Sequence, residues 1–287
     1  MLKYEVHGTG APLVLVHGIT HRRQAWYPVL EHLTDHRTVV LFDLPGHGES
    51  HDLVVRDGDV QGTLRTELVA MLDQLGLERP HIAGNSLGGR IALEAAADDL
   101  VASATVLSPA AYWHNALDFA YIRFVFWCLT TSARALAPVV PTLARSAWAR
   151  RMMGVVVSAH PDRIPADEFV ADLNGMRRAV PAMKKIFPAA EVFHREIPAD
   201  IPVTVAWAAR DRILLPYQAR IAERRLPPSP PHPTVGVRPC ADGRQPRTRR
   251  TRTTRGQRPR PAGRGLVARA VNWGLAWRLH SAPRVLE

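Results

Sequence analysis

The sequence predicts an α/β fold in which a mostly parallel central sheet is flanked by helices. Two observations carry this prediction. Short apolar runs of strand length alternate with segments of helical periodicity, and the runs end in turn-rich segments. A chain of 287 residues with 46% hydrophobic content is also long enough to bury one large core.

Two apolar runs near the N-terminus have the length and composition of buried parallel strands. Residues 13–16 read Leu-Val-Leu-Val and are followed by His-Gly, and residues 37–43 lead into the turn-rich segment 43–50. Apolar residues recur at helical spacing between the two runs, and again in residues 64–77. This order predicts strand, helix, strand, helix.

A Gly-x-Ser-x-Gly motif, residues 84–88, stands between a strand-like segment, 80–83, and a helix-like segment, 90–97. A sharp strand-to-helix turn leaves almost no room for side chains two residues to either side of its central residue. Glycines occupy both positions, and Ser86 lies between them. A serine presented in this way is placed to attack an electrophilic carbon; the alternative is a turn residue only.

Residues 112–195 interrupt the alternation of strands and helices. They show helical periodicity without a strand signal, which predicts a helical insertion over the carboxyl edge of the sheet, where open α/β sheets carry their ligand sites. Strand-like segments at 102–108 and 201–207 flank it. We therefore divide this part of the chain into a core of residues 1–111 and 196–225 and a helical lid or cap of residues 112–195.

Over about residues 3–225 the chain resembles the lid-bearing, esterase-like serine hydrolases of the α/β-hydrolase fold family. Four features occur in the family's order: the strand that ends in His-Gly, the turn at residues 43–50, the motif around Ser86, and the late strand before Asp211. The resemblance implies Ser86 as the nucleophile and Asp211 as the acid that orients a histidine. For Asp211, a solvated turn residue is the alternative.

Attack by Ser86 on a carbonyl carbon forms an acyl-enzyme and requires hydrogen-bond donors for the developing oxyanion. The backbone N–H of Leu87 lies at the N-terminus of the predicted helix, where the helix dipole favours negative charge. The resemblance adds the backbone N–H of Ile19 as the second donor. It also implies that His17 and His47 are structural residues of the site's floor.

Aromatic residues of the predicted lid are candidates for an apolar acyl pocket. We take Trp113 and Trp127, with His17, as candidate pocket residues, and plain packing is the alternative for each aromatic residue. The expected partner is a small-molecule acyl substrate, and neither a cofactor nor a metal is implied. The same scaffold leaves open C–C bond hydrolysis, cofactor-free perhydrolysis and non-catalytic binding of acyl ligands.

The cysteine content and the apolar stretches of the chain indicate its cellular compartment. Cys128 and Cys240 cannot build a disulfide framework or a metal cage, which favours a reducing, cytoplasmic compartment. We see no signal-peptide pattern at the N-terminus and expect no membrane span, because Arg123 and Arg134 interrupt the apolar segment 119–136. The oligomeric state stays open.

The implied triad lacks an evident histidine. The family's chain order is Ser, Asp, His, with the histidine in a Gly-His-x-Pro turn, and only His232 and His280 follow Asp211. His232 lies in a proline-rich segment that cannot form a central strand, and His280 lies near the C-terminus. We keep both as candidate residual bases. We expect impaired activity, because loss of a triad histidine costs about 10⁶ in turnover in subtilisin.

Charge divides the chain abruptly near residue 226. Residues 1–225 hold 24 Lys+Arg and 24 Asp+Glu, whereas residues 226–287 hold 13 Arg, no Lys and two acidic residues, so the second part supplies the net charge of +11. We predict an irregular or disordered Arg/Pro-rich segment over residues 226–264 and a short C-terminal helix or tail over residues 265–287.

A one-nucleotide frameshift between about Leu226 and Val237 is one hypothesis for this composition, since GC-rich codons read out of frame yield Arg, Pro, Thr and Gly. With freely chosen synonymous codons, residues 237–252 read one nucleotide later begin Ser-Gly-His-Ala-Pro, a turn of the expected kind. The rival hypothesis is an evolved basic tail that binds RNA, DNA or anionic lipid by counterion release. Aromatic residues for base stacking are absent between Leu226 and Asn272, so we expect no specific nucleic-acid partner.

Overall fold

The computed structural model describes residues 2–226, which form a six-stranded sheet covered by helices. The strand order is β1-β3-β2-β4-β5-β6; β1 pairs with β3 antiparallel, and every other neighbouring pair is parallel. The predicted α/β fold with a mostly parallel sheet is therefore confirmed. The strands are β1 Tyr4–His7, β2 Ala11–Val16, β3 Arg37–Phe42, β4 His81–Asn85, β5 Ser103–Leu107 and β6 Val203–Ala206.

Helices follow the strands along the chain. Asp59 begins the longest core helix by accepting a hydrogen bond from the backbone N–H of Gly62 at 2.8 Å. The described residues also contain two short 3₁₀ helices, Arg23–Trp26 and Pro161–Arg163. The helices are α1 Tyr27–Thr34, α2 Val60–Gln74, α3 Leu87–Ala97, α4 Ala116–Ala135, α5 Val140–Leu143, α6 Ala147–Gly154, α7 Ala166–Arg178, α8 Val180–Ile186 and α9 Gln218–Arg225.

Both faces of the central strands are buried. Val14 and Val16 of β2 belong to the larger core layer, with residues of α2 and α3, whereas Leu13 and Leu15 belong to the smaller layer, with residues of α1. Side chains alternate between the two faces of a strand, so an uninterrupted apolar run buries both. The continuous Leu-Val-Leu-Val pattern therefore marks an interior strand.

The edge strand β1 is absent from the sequence predictions. Its residues, Tyr-Glu-Val-His, are half-buried or exposed. An edge strand with a solvated face lacks the continuous apolar run by which the interior strands were recognised. The pairing with β3 nevertheless continues through all four residues, from Tyr4 opposite Phe42 to His7 opposite Val39.

Helices α4 to α8 lie between β5 and β6 in the chain and form what we call the helical insertion. Asn115 starts it: its side-chain oxygen accepts hydrogen bonds from the N–H groups of Leu117 and Asp118 at 2.9 and 3.0 Å. Within residues 2–226, no helix combines the length and apolarity needed to cross a membrane. The predictions for residues 227–287 lie outside the described residues.

Candidate active site

Ser86 occupies the sharp turn between β4 and α3. Its backbone angles, φ 52° and ψ −113°, are outside the regions that an L-residue ordinarily adopts. The Ser86 N–H donates to the carbonyl of Leu107 at 2.9 Å, and the Ser86 carbonyl accepts from the N–H of Ala110 at 2.9 Å. A Cβ at Gly84 would overlap the backbone of Gly88. The motif's glycines are therefore required by the close backbone approach around this turn.

The loop after β2 passes beside Ser86, because a Cβ on Gly18 would lie 3.3 Å from the Ser86 Cβ. The buried imidazole of His17 holds this loop. Its Nε2 accepts a hydrogen bond from the N–H of Leu44 at 2.9 Å, so Nδ1 carries the proton and donates to the carbonyl of Gly18 at 2.8 Å. Burial lowers the pKa of His17 well below its ordinary value, which keeps the ring neutral.

The hydrogen bonds of His17 orient a neighbouring backbone donor. The carbonyl of Gly18 and the N–H of Ile19 belong to one trans peptide unit and point in opposite directions. Because His17 Nδ1 and the His21 N–H both donate to Gly18 O, the Ile19 N–H points away from them. Neither this N–H nor that of Leu87, the first residue of α3, has a hydrogen-bond acceptor among residues 2–226. Both are available to an oxyanion.

Asp211 lies in the turn after β6. One carboxylate oxygen, Oδ1, accepts hydrogen bonds from the N–H groups of Ile213 and Leu214, both at 2.9 Å, and the Ser108 side chain also hydrogen-bonds the carboxylate. Desolvation raises the pKa of Asp211, and the three hydrogen bonds oppose that shift. Within the described part of the chain, no histidine hydrogen-bonds Asp211 or Ser86.

A narrow cavity of about 40 Å³ lies beside Ser86. Ser86 and its neighbour Leu87 form one side, and the insertion supplies much of the rest. Among residues 2–226, no group of three or more His, Cys, Asp or Glu side chains is arranged to hold a metal ion. The cavity is lined by Ile19, Gln61, Ser86, Leu87, Arg90, Ala110, Trp113, Phe119, Ile122, Phe126, Ile186, Phe187, Ala190, Glu191, Ile213 and Leu214.

Arg90 fastens α3 to the end of the helical insertion. This buried guanidinium donates through Nε to Glu94 at 2.8 Å and through Nη1 to the backbone carbonyl of Glu191. It also lies over the ring of Phe193, 5.4 Å from the ring centroid. The wall of the cavity is thus joined directly to the helix that carries Ser86 at its N-terminus.

The structure brings together some of the predicted site residues. Trp113 lines the cavity beside Ser86, and the turn that holds Asp211 supplies two further lining residues. Trp127 lies on the outer side of α4 with 61% of its surface exposed, and His17 lies under the loop rather than in the cavity wall. The candidate bases His232 and His280 lie outside the described residues.

Sequence reasoning missed two residues of this region. Ser108 is buried and has a φ of 40°, and its hydroxyl also accepts the N–H of Ala208 at 3.2 Å. Its position at the carboxyl end of a predicted strand was a usable signal, because such ends carry ligand sites in parallel sheets. Arg90 gave no comparable signal, since charged residues are common on helices.

Comparisons with known proteins agree with this architecture. A model of the alpha/beta hydrolase fold family matches residues 11–240. The dihydrolipoyllysine-residue acetyltransferase component of the acetoin cleaving system of Pseudomonas putida is 40% identical over 110 residues, covering 37% of this chain and 29% of that protein. The (E)-2-((N-methylformamido)methylene)succinate hydrolase of Acinetobacter baylyi is 36% identical over 88 residues, covering 31% of this chain and 33% of that protein.

The aligned segments therefore span only about a third of the length of these two curated relatives. Among solved structures, a bacterial membrane phospholipase A superposes with a TM-score of 0.57 at 21% identity, covering 78% of this chain and 72% of that one. At this level of identity the superposition establishes the shared fold alone.

Proposed function

Because the chain belongs to the alpha/beta hydrolase fold family, we propose that it is a serine hydrolase that acts on an ester or related acyl substrate through Ser86. One observation carries the proposal: Ser86 sits at a positive-φ turn on a cavity wall, next to the available backbone N–H groups of Ile19 and Leu87. Nucleophile and oxyanion donors are the two components that acyl transfer requires in fixed positions.

In this mechanism the Oγ of Ser86 attacks the carbonyl carbon of the substrate, and the carbonyl oxygen takes up negative charge. The N–H groups of Ile19 and Leu87 donate hydrogen bonds to that oxygen. Collapse of the tetrahedral intermediate expels the leaving group, which takes up the proton lost by the Ser86 hydroxyl, and leaves an acyl-Ser86 ester. Water then hydrolyses this ester to the free acid and restores the hydroxyl. Asp211 acts as the acid that orients the base.

The base is the component that the described residues do not supply. The hydrogen bonds of Asp211 go to two backbone N–H groups and Ser108, and none goes to a histidine of residues 2–226. We therefore propose impaired turnover, with Ser86 still able to react slowly with strong electrophiles. Oxyanion stabilisation and binding alone retain about 10³- to 10⁴-fold of rate acceleration in serine proteases that lack triad members.

The cavity supports a substrate with an apolar acyl group, because aromatic and aliphatic side chains supply most of its lining. Its volume of about 40 Å³ is far below the roughly 300 Å³ or more of ordinary ligand sites, so we propose that the insertion moves when a substrate enters. The relative from Acinetobacter baylyi is named as a hydrolase of a substituted succinate, which supports a hydrolytic reaction without fixing the substrate here.

A fluorophosphonate probe tests the nucleophile. The full chain should become labelled at Ser86, as read by mass spectrometry of the peptide, whereas Ser86→Ala should not be labelled. A matched control is Ser158→Ala, which changes a serine of the insertion outside the site and should leave labelling intact. Labelling of another residue with Ser86 unmodified would contradict the proposal.

Turnover of p-nitrophenyl esters tests the impairment separately. We expect slow release that Ser86→Ala abolishes. Ordinary esterase efficiency would show that a working base is present and would overturn the proposed impairment while leaving the nucleophile in place.

Non-catalytic binding of an acyl ligand is the second candidate, and it is favoured because no histidine among residues 2–226 hydrogen-bonds Asp211. Here a fatty acid or acyl ester would bind with equal affinity to the wild type and to Ser86→Ala, and the probe would label neither. The two candidates therefore differ in probe labelling rather than in binding.

A further inference from the structure

The outer side of α4 is apolar although it faces solvent. Leu117, Phe124 and Trp127 are 79%, 59% and 61% exposed, while Ile122 and Phe126 of the same helix face the cavity beside Ser86. A helix that is apolar around its circumference is ordinarily buried on all sides. The outer half of α4 therefore lacks a cover among the described residues.

Helix α6 repeats the pattern. Trp148 and Met152, spaced by four residues and so on one side of the helix, are 72% and 58% exposed. Arg212 lies close to both helices, because its carbonyl accepts from the Tyr121 hydroxyl of α4 at 2.6 Å and its guanidinium donates to the carbonyl of Val155, directly after α6, at 2.8 Å. We call the combined surface the outer insertion face; it consists of Leu117, Phe124, Trp127, Trp148 and Met152.

The charge around the outer insertion face is predominantly positive. Residues 119–161 contain five arginines and no lysine, aspartate or glutamate; Asp118 and Asp162 flank this stretch, and Asp162 forms an ion pair with Arg151 at 3.3 Å. Arg123, Arg134 and Arg145 are exposed, and none of the three has an ion-pair partner within residues 2–226. The surface thus combines exposed aromatic side chains with unneutralised guanidinium groups.

This charge argues against two possible covers. A second copy of the chain would place three unpaired arginines opposite three, and like charges across an interface cost several kcal/mol. The chain's own residues 226–287, with 13 Arg and two acidic residues, carry the same sign. The cover must instead be anionic and also accept several large apolar side chains.

We propose that the outer insertion face docks on the surface of anionic lipid bilayers. Trp127 and Trp148 suit the boundary between headgroups and acyl chains, where amphipathic aromatic rings concentrate. Arg123 and Arg134 reach lipid phosphates with their guanidinium groups while their apolar stems cover the helix surface. This is attachment to one leaflet by an amphipathic face, and it requires no catalysis by Ser86.

Flotation of the full chain with vesicles tests the docking. We expect binding to vesicles of phosphatidylcholine with about one third phosphatidylglycerol, and much weaker binding to phosphatidylcholine alone. Phe124→Ser with Trp127→Ser should weaken binding about 10-fold or more, because two large apolar side chains no longer enter the bilayer. Val54→Ser removes an apolar side chain that is 69% exposed outside the insertion and should leave binding unchanged.

The arginine-rich C-terminal segment is present in every sample, so a second readout must locate the contact. Brominated acyl chains should quench tryptophan fluorescence in a Trp273→Phe, Trp277→Phe background. They should lose most of that effect when Trp127→Ser and Trp148→Ser are added, because the three remaining tryptophans, Trp26, Trp113 and Trp207, are buried. Full binding by the Phe124→Ser, Trp127→Ser variant would assign the contact elsewhere and overturn the proposal. A wild-type dimer that these substitutions convert to monomer would overturn it too.

Discussion

The side chain of Ser108 hydrogen-bonds the carboxylate of Asp211, which joins the end of β5 to the turn after β6. Leu107, one residue earlier, accepts the backbone N–H of Ser86. A short chain of contacts therefore connects the candidate acid with the candidate nucleophile. Ser108 holds this position with a φ of 40°, a conformation that costs free energy in any residue with a Cβ.

Replacing Ser108 by alanine should lower the free energy of unfolding by about 1–3 kcal/mol, because the buried carboxylate loses a hydrogen bond. Alanine keeps the cost of the positive φ, so the change isolates the hydroxyl group. Urea unfolding measures the effect, with Ser132→Ala on the exposed side of α4 as the control, expected within about 0.5 kcal/mol of the wild type. Equal midpoints for the two variants would contradict the assigned contact.

Replacing Ser86 by glycine should raise the free energy of unfolding by about 1–2 kcal/mol, because glycine adopts φ 52° and ψ −113° without a Cβ. Ser86→Ala keeps the Cβ and should stay close to the wild type in stability. Both variants should lose labelling by a fluorophosphonate. Thermal unfolding compares them, and a glycine variant no more stable than the alanine variant would show that the turn stores no strain.

Gly88→Ala should destabilise the fold by about 3 kcal/mol or more, since the new Cβ would overlap the backbone carbonyl of Val16 and nothing flexible can move aside. The control is Gly175→Ala in α7, where the nearest atom, Cδ of Arg22, would be 3.7 Å away. That helical substitution should stabilise by up to about 1 kcal/mol. Chemical denaturation compares the two variants, and a Gly88→Ala variant as stable as the wild type would contradict the predicted overlap with Val16.

Acid should weaken the fold through its buried histidines. Burial lowers the pKa of His47 to about 4, whereas the unfolded residue titrates near 6.5. Between these values the unfolded chain binds more protons. The stabilising contribution is therefore complete above about pH 7 and declines as the pH falls, by about 3 kcal/mol at pH 4 for His47 alone. His17 acts with the same sign.

Unfolding midpoints from pH 7.5 to 4.5 measure this dependence. His47→Asn, which can still donate a hydrogen bond toward the carbonyl of Pro45, should flatten the curve. His36→Gln, at an exposed position, should leave its slope unchanged. A stability that rises on acidification would contradict the assigned burial.

Sequence patterns were sufficient to recognise a structural element where one physical requirement determines its residues. Interior strands such as β2 must be apolar on both faces, and the turn at Ser86 admits only small neighbours, so residues 13–16 and 84–88 were recognisable. Strand β1 was not recognisable from the sequence, because an edge strand is only half-buried and lacks a continuous apolar run. Ser108 ends a predicted strand, which was a usable signal, but its positive φ leaves no trace in the composition.

The orientation of the Trp127 side chain could not be predicted from the sequence, for a different reason. Helix α4 carries apolar residues around its circumference, so periodicity cannot say which of them face the core. Both Trp113 and Trp127 are candidates for an acyl pocket from the sequence, but the structure places Trp113 beside Ser86 and Trp127 on the surface. Packing partners distant in the chain, such as Phe187 against Phe126, decide the orientation.

Because α3 is attached to one end of the insertion, a substrate can reach Ser86 only from the side that is not attached. Arg90 binds the carbonyl of Glu191, and Arg195 binds both Glu94 and Asp98 at the end of α3, at 3.0 and 2.6 Å. Charge-assisted hydrogen bonds of this kind are strong. The segment around residues 191–195 should therefore keep its position relative to α3 and Ser86 when the insertion moves. A cavity of about 40 Å³ can then widen for a substrate mainly by displacement of α4, and hydrogen exchange should be faster along α4 than along α3.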